Sequence, residues 1–235
     1  MNRVARARTA QGLVTREAAV AHRVAALLLE YPTAELLALV PGLRAAIDEL
    51  PATLAGPLTR TLDHVAGTEP TALAAQYVET FDLRRRCSLY LTYYAFGDTR
   101  RRGVALVEFK QAYRGAGLEL ADDELPDHLA VVLEFSSSPD QAAREAGMRL
   151  LLAHRAGLEL LRLALADAGS PWAGAVEAVC ATLPPLDGDE RTAVARLAAE
   201  GPPGEDVGLD PTLAPAGAPG LAPYATPTSS SGARR

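Results

Sequence analysis

Apolar residues recur at three- and four-residue steps along nearly the whole chain and almost nowhere at alternate positions. That period puts them on one face of an α-helix rather than on one face of a strand. Val20, Val24, Leu27, Leu28 and Tyr31 form a first stripe, which Pro32 stops because it has no N–H to continue the helix. Thr33 suits an N-cap ahead of Leu36, Val40, Leu43, Ile47 and Leu50, a stripe that ends near Pro51. Leu54, Leu58, Leu62 and Val65 suggest a third helix, and Thr68 caps a segment with Leu73, Tyr77, Val78 and Phe81. The few β-branched residues fall on helical positions, so no strand pair is expected. The pattern predicts an all-α fold, a single-domain helical bundle of about eight to ten helices.

The second half carries clearer punctuation. Leu89, Tyr93 and Phe96 share one helical face and Tyr90 and Tyr94 an adjoining one, before a break at Gly97-Asp98-Thr99. A helix then runs through about Arg114, with Val104 or Ala105, Leu106, Phe109 and Tyr113 as its buried stripe, and Gly115 and Gly117 end it. Ser138-Pro139-Asp140-Gln141 combines an N-cap, a first-turn proline and a glutamine at N3, opening a helix with Met148, Leu151, Leu158, Leu161 and Leu165 that Gly169 closes. Ser170-Pro171 repeats the start signal for Trp172, Ala175, Val176, Val179 and Leu183. Asp187 with Glu190 opens a last short helix that ends near Ala199. From Gly201 onward Gly, Pro, Ala and Ser dominate, and such a segment cannot bury enough apolar surface to offset its ordering entropy. The expected organisation is a loose N-terminus over 1–12, an all-helical domain over 13–200 and a disordered tail over 201–235.

Several function classes are disfavoured at once. The net charge is −6, so bulk binding to nucleic acid would need a strong local basic patch. His22, His64, His128 and His154 are scattered, and Cys87 and Cys180 are isolated, so no metal-ligand spacing appears. No apolar run is long enough to span a bilayer, and no apolar segment with a small-residue cleavage site follows the basic N-terminus, which points to the cytoplasm. Gly97 and Gly103 flank GDTRRRG, but the lysine and preceding strand of a phosphate-binding loop are absent.

Two stretches stand apart from the Ala/Leu/Val background. Gln76–Gly103 holds six of the twelve aromatic residues and two arginine triplets, Arg84–Arg86 and Arg100–Arg102. Tyrosine and arginine combine apolar area with hydrogen-bonding tips and are enriched where proteins recognise proteins, although a tyrosine-rich core helix with solvated arginines would look the same. An anionic-ligand or nucleic-acid module using the triplets is a further reading. Between Arg114 and Arg144 lie seven acids and no Lys or Arg, centred on ELPDHLAVVLEF, Glu124 to Phe135. Pro126 fits a first helical turn, with Asp127 and His128 near the positive end of the helix dipole. An Asp127–His128 general base is one reading. Against it, adjacent residues on a helix point about 100° apart, and no nucleophile motif accompanies them. An acidic pocket for a cationic peptide, with His128 as a pH-sensitive partner, is a second reading. A capped helix start with a solvated acidic loop is a third.

Taken together, YVETFDLRRRCSLYLTYYAFGDTRRRG, LVEFKQAYRGAG and ELPDHLAVVLEF resemble the NarJ-type nitrate reductase molybdenum cofactor assembly chaperones. These are also called nitrate reductase delta subunits and belong with the TorD/DmsD group of redox-enzyme maturation chaperones. The resemblance covers residues 76–135 closely, and the helical pattern from about 15 to 200 fits it in size and order. It implies an all-α protein without enzymatic activity. It implies as partner the apo catalytic (alpha) subunit of nitrate reductase, held through its N-terminal segment, and possible contact with the cofactor-insertion machinery, with no nucleic acid and no membrane insertion. No cofactor would be stably bound, since it is the client that receives molybdopterin guanine dinucleotide. A sibling molybdoenzyme as client is the alternative. The group's Pro-Asp-His signature falls on Pro126, Asp127 and His128, with Tyr90, Tyr93, Tyr94 and Glu124 as neighbours in a peptide groove. A groove that is aromatic inside and acidic at its rim suits a basic amphipathic helix.

Overall fold

Thr15 caps the first helix by accepting the Ala18 N–H at 3.0 Å, and from there helices follow one another to residue 200. The structure is a computed structural model describing residues 15–97, 99–120 and 124–200. The expected loose segment 1–12 and tail 201–235 lie outside these residues, as do Asp98, Asp122 and Asp123. Twelve α-helices form among the described residues. They are α1 (Arg16–Leu28), α2 (Ala34–Ala38), α3 (Val40–Asp48), α4 (Ala52–Gly67), α5 (Pro70–Tyr77) and α6 (Tyr93–Phe96). After these come α7 (Arg100–Gly115), α8 (Leu129–Ser136), α9 (Gln141–Ala153), α10 (Arg155–Asp167), α11 (Ala173–Ala181) and α12 (Gly188–Glu200). The fold is all-α, as the periodicity predicts.

The count exceeds eight to ten because two expected helices are each broken once. Pro41 interrupts the stripe after Thr33, so the chain turns at Leu39 between α2 and α3. The long helix expected up to Gly169 turns at His154, whose backbone sits at φ −105°, ψ 22°. Two caps also move along the chain. Asp140 rather than Ser138 caps α9, accepting the Ala143 N–H at 2.7 Å, and Glu69 rather than Thr68 caps α5. The Asp187–Glu190 pair caps α12 reciprocally as expected, through bonds of 3.0 and 2.8 Å.

Helix α1 lies at the centre and packs against α4, α8 and α11. Its small residues Ala18, Ala21, Ala25 and Ala26 are all buried and let these neighbours approach. The closest crossing is α11 on α4. A Cβ at Gly174 would fall on the Pro57 carbonyl oxygen and within 2.8 Å of Thr61 Oγ1, so only glycine fits. Trp172, fully buried beside this crossing, meets the rings of Tyr77, Phe81 and His64 at 5.5–5.8 Å. Burying a side chain of this size contributes roughly 3 kcal/mol. No helix among the described residues is long and apolar enough to cross a membrane.

Candidate functional site

The Leu89–Thr92 segment is where local periodicity misleads. Helical spacing placed Leu89, Tyr90 and Tyr93 on adjoining helical faces, but the chain bridges to a distant segment at Tyr90, turns through Leu91 and Thr92, and starts helix α6 only at Tyr93. Leu91 N–H donates to the Asp127 carbonyl at 3.0 Å, and Leu129 N–H donates to the Leu89 carbonyl at 2.8 Å. Tyr90 and His128 therefore face each other across an isolated antiparallel bridge. Their rings meet edge-on with centroids 5.3 Å apart. Pro126 and Asp127 correspondingly do not begin a helix. They occupy the centre of a turn closed by His128 N–H donating to the Leu125 carbonyl at 3.1 Å, with proline at its favoured position, and α8 begins at Leu129. The expected place of Pro126 in a first helical turn is corrected accordingly.

Asp127 is fully buried. Its Oδ2 accepts from the Thr92 N–H at 3.1 Å and the Thr92 hydroxyl at 2.5 Å, so it caps α6 from 35 residues away in sequence. The Arg102 guanidinium lies alongside. Its Nε donates to Thr92 Oγ1 at 3.2 Å, its Nη2 is 3.6 Å from Asp127 Oδ2, and its Cζ sits 5.2 Å from the Tyr90 ring centroid. Removing one member of such a buried charge pair typically costs roughly 3–5 kcal/mol, because the other is left uncompensated. Tyr113 braces the same turn, its hydroxyl donating to the Pro126 carbonyl at 2.6 Å. Burial, with Asp127 and Glu124 adding to it, pushes the Tyr113 phenol well above its ordinary range. Burial also lowers the His128 imidazole below its usual value, against the opposing pull of Asp127. With Asp127 engaged by Thr92 and Arg102, an Asp–His general base does not form.

The seven residues singled out in the sequence divide among four places. Tyr90, Pro126, Asp127 and His128 come together at the bridge. Glu124 is exposed on an adjacent groove. Tyr94 is buried, its hydroxyl donating to the Ser88 carbonyl at 2.9 Å, so it builds the core. Tyr93 lines a separate cleft with Arg85, Arg86, Leu160 and Leu163.

The groove next to the signature turn has an open volume of about 590 Å³. Leu118, Leu120, Val131 and Phe135 form its apolar floor, Tyr113 its wall, and Glu119, Glu124 and Glu134 its rim. A second hollow, reaching Lys110 and Arg114, shares Tyr113, Leu118, Glu119, Leu120 and Glu124 and so prolongs it. Gly117, at φ 72°, reverses the chain after α7, and the Leu118 N–H donates to the Tyr113 carbonyl at 3.0 Å. This turn carries Leu118 and Glu119 into the groove. Glu30 belongs to the same acidic field: partial burial, then Glu124 and Glu134, raise its carboxyl above the ordinary range. Arg23 pairs with Glu134 at the lip. Sequence reasoning missed Glu30 and the part Tyr113 plays at the turn, and it singled out Arg102 only as one of its triplet, for which an ion pair with the acidic region was one reading.

Half of the arginines in the two triplets are committed to partners among the described residues. Arg84 pairs with Glu79 at 2.5 Å and Arg86 with Asp167 at 2.9 Å, while Arg102 turns inward and Arg100 and Arg101 stay exposed. Among the described residues no group of His, Cys, Asp and Glu is placed to hold a metal ion.

A model of the nitrate reductase delta subunit family matches residues 38–178, which spans the bridge, the signature turn and the groove apart from Arg23. The chain belongs to the nitrate reductase delta subunit family. It is 42% identical over 163 residues to the nitrate reductase-like protein NarX of Mycobacterium tuberculosis, a match covering 69% of this chain and 24% of NarX. It is 36% identical over 125 residues to the nitrate reductase molybdenum cofactor assembly chaperone NarJ of Escherichia coli K12, covering 52% of this chain and 53% of that protein. The chain thus spans about a quarter of NarX and about half of NarJ. This delta-family member carries the Pro126-Asp127-His128 turn inside the matched region, with Glu124 and Glu134 on either side of it.

Proposed function

We propose that this protein is an assembly chaperone for a respiratory nitrate reductase. It binds the apo catalytic subunit in the cytoplasm through that subunit's N-terminal segment and holds it competent for molybdenum cofactor insertion before membrane docking. The observation that carries the reading is the groove: an apolar floor of Leu118, Leu120, Val131 and Phe135 under a rim of Glu119, Glu124 and Glu134, built against the family's signature turn. An amphipathic helix with basic residues complements it, its apolar side chains on the floor and its cations among the carboxylates. The cofactor enters the client, and the chaperone carries none of its own. It has no catalytic step; its work is to occupy a surface and then release it, for which open, partly solvated acids supply moderate and salt-sensitive attraction.

The test is titration of a peptide spanning the N-terminus of the nitrate reductase catalytic subunit from the same genome. Binding by the full chain is expected. The double variant Glu119→Gln/Glu124→Gln should weaken it by about three- to tenfold and flatten its salt dependence, the scale of two exposed ion pairs. Wild-type affinity and salt slope in that variant would remove the groove from the site.

A further inference from the structure

We infer that Arg102 is the positioning residue of the Tyr90–His128 pair, holding the two rings ready for the client. The inference rests on the client-binding reading above.

Arg100, Arg101 and Arg102 open helix α7 together, yet only Arg102 turns inward, its side chain 17% exposed. Among the described residues it meets the signature and its neighbours at Thr92 Oγ1, the Asp127 carboxylate and the Tyr90 ring. The backbone bridge fixes the Cα positions of Tyr90 and His128 but leaves each ring free to turn about its side-chain bonds. Something must hold them, and the guanidinium near the Tyr90 ring is placed to do so. The phenol and imidazole tips form no hydrogen bond with the described residues. Both side chains are only partly buried, so the tips remain available to an incoming chain. Asp127 Oδ1 is also buried without a hydrogen-bond partner among the described residues, so Asp127 depends on Thr92 and Arg102 for its compensation. The proline and aspartate of the signature therefore build the support, histidine and Tyr90 present the contact, and Arg102 connects the two.

The experiment compares full-length Arg102→Gln, Arg101→Gln and the neutral pair Arg102→Gln/Asp127→Asn. It reads thermal stability, the aromatic carbon–proton NMR signals of Tyr90 and His128, and affinity for the client's N-terminal peptide. Arg102→Gln should shift both ring signals and weaken the peptide by about tenfold, the effect of one well-placed anchor. Arg101→Gln should change neither. The neutral pair should regain stability, because no buried charge is left unpaired, while affinity and ring signals stay displaced. A merely structural role would restore all three together, and that result overturns the inference, as do unshifted rings with peptide binding within twofold in Arg102→Gln. If Arg102→Gln fails to fold, the neutral pair still decides the question. Absence of peptide binding by the wild type would instead refute the client reading, with the ring signals still testing Arg102.

Discussion

His22 offers a pH test of the core. It is fully buried in α1 and ties three elements: Nδ1 lies 2.8 Å from Ser136 Oγ at the end of α8, and Nε2 lies 2.8 Å from Thr182 Oγ1 after α11. Burial pushes its imidazole from 6.5 down to about 4. The folded ring is therefore neutral where an unfolded histidine would already be charged. Between pH 6.5 and 4 the unfolded chain binds the extra proton, so stability is complete above 6.5 and lost as pH falls through that window. The slope approaches about 1.4 kcal/mol per pH unit and sums to roughly 3 kcal/mol, a large share of a typical domain's stability. His22→Gln keeps a donor and an acceptor but cannot titrate. Urea unfolding of both proteins from pH 4.5 to 7.5 isolates the residue, because distant carboxylates contribute equally to each. The variant should be the weaker at pH 7, by roughly 1–3 kcal/mol for imperfect hydrogen bonds and packing. The gap should narrow steadily below pH 6.5. Parallel pH profiles, or an NMR titration that places His22 near its ordinary value, would refute the reasoning.

Two further outcomes follow from packing at the crossing and at the turn. Gly174→Ala forces α11 away from the Pro57 carbonyl and should cost about 2–3 kcal/mol, visible as a lowered melting temperature; an unchanged melting temperature would mean that the crossing can open freely. Tyr113→Phe deletes the donor to the buried Pro126 carbonyl and should cost about 1–2 kcal/mol in denaturant unfolding, with hydrogen exchange at His128 and Leu129 accelerating as the turn loosens.

Glu119, Glu124 and Glu134 come from the connection after α7, the approach to the signature turn and helix α8. Three separate segments thus supply one electrostatic surface, which under the proposed reading would steer a basic segment and fix its direction.

The helical nature of the chain was legible because a 3.6-residue period needs only neighbours within a few turns to reveal it. Thr33, Gly117 and the Asp187–Glu190 pair marked helix ends through bonds local in sequence. The acidity of 119–140 and the Tyr/Arg density of 76–103 likewise marked the two segments that the fold joins at the Tyr90–His128 bridge. What local pattern could not supply were contacts whose partners lie far along the chain. Leu89, Tyr93 and Phe96 keep helical spacing, yet backbone bonds to Asp127 and Leu129 hold the first part out of the helix, and the Asp127 carboxylate caps α6 across 35 residues. Arg102 reads as one of three solvated cations until the fold brings Thr92 and Asp127 beneath it. Composition and period thus decided an all-helical chain with an aromatic and an acidic region. Tertiary structure decided that the two regions meet, because only a folded chain can bring a buried carboxylate and its guanidinium within a few ångströms and offset the desolvation of both.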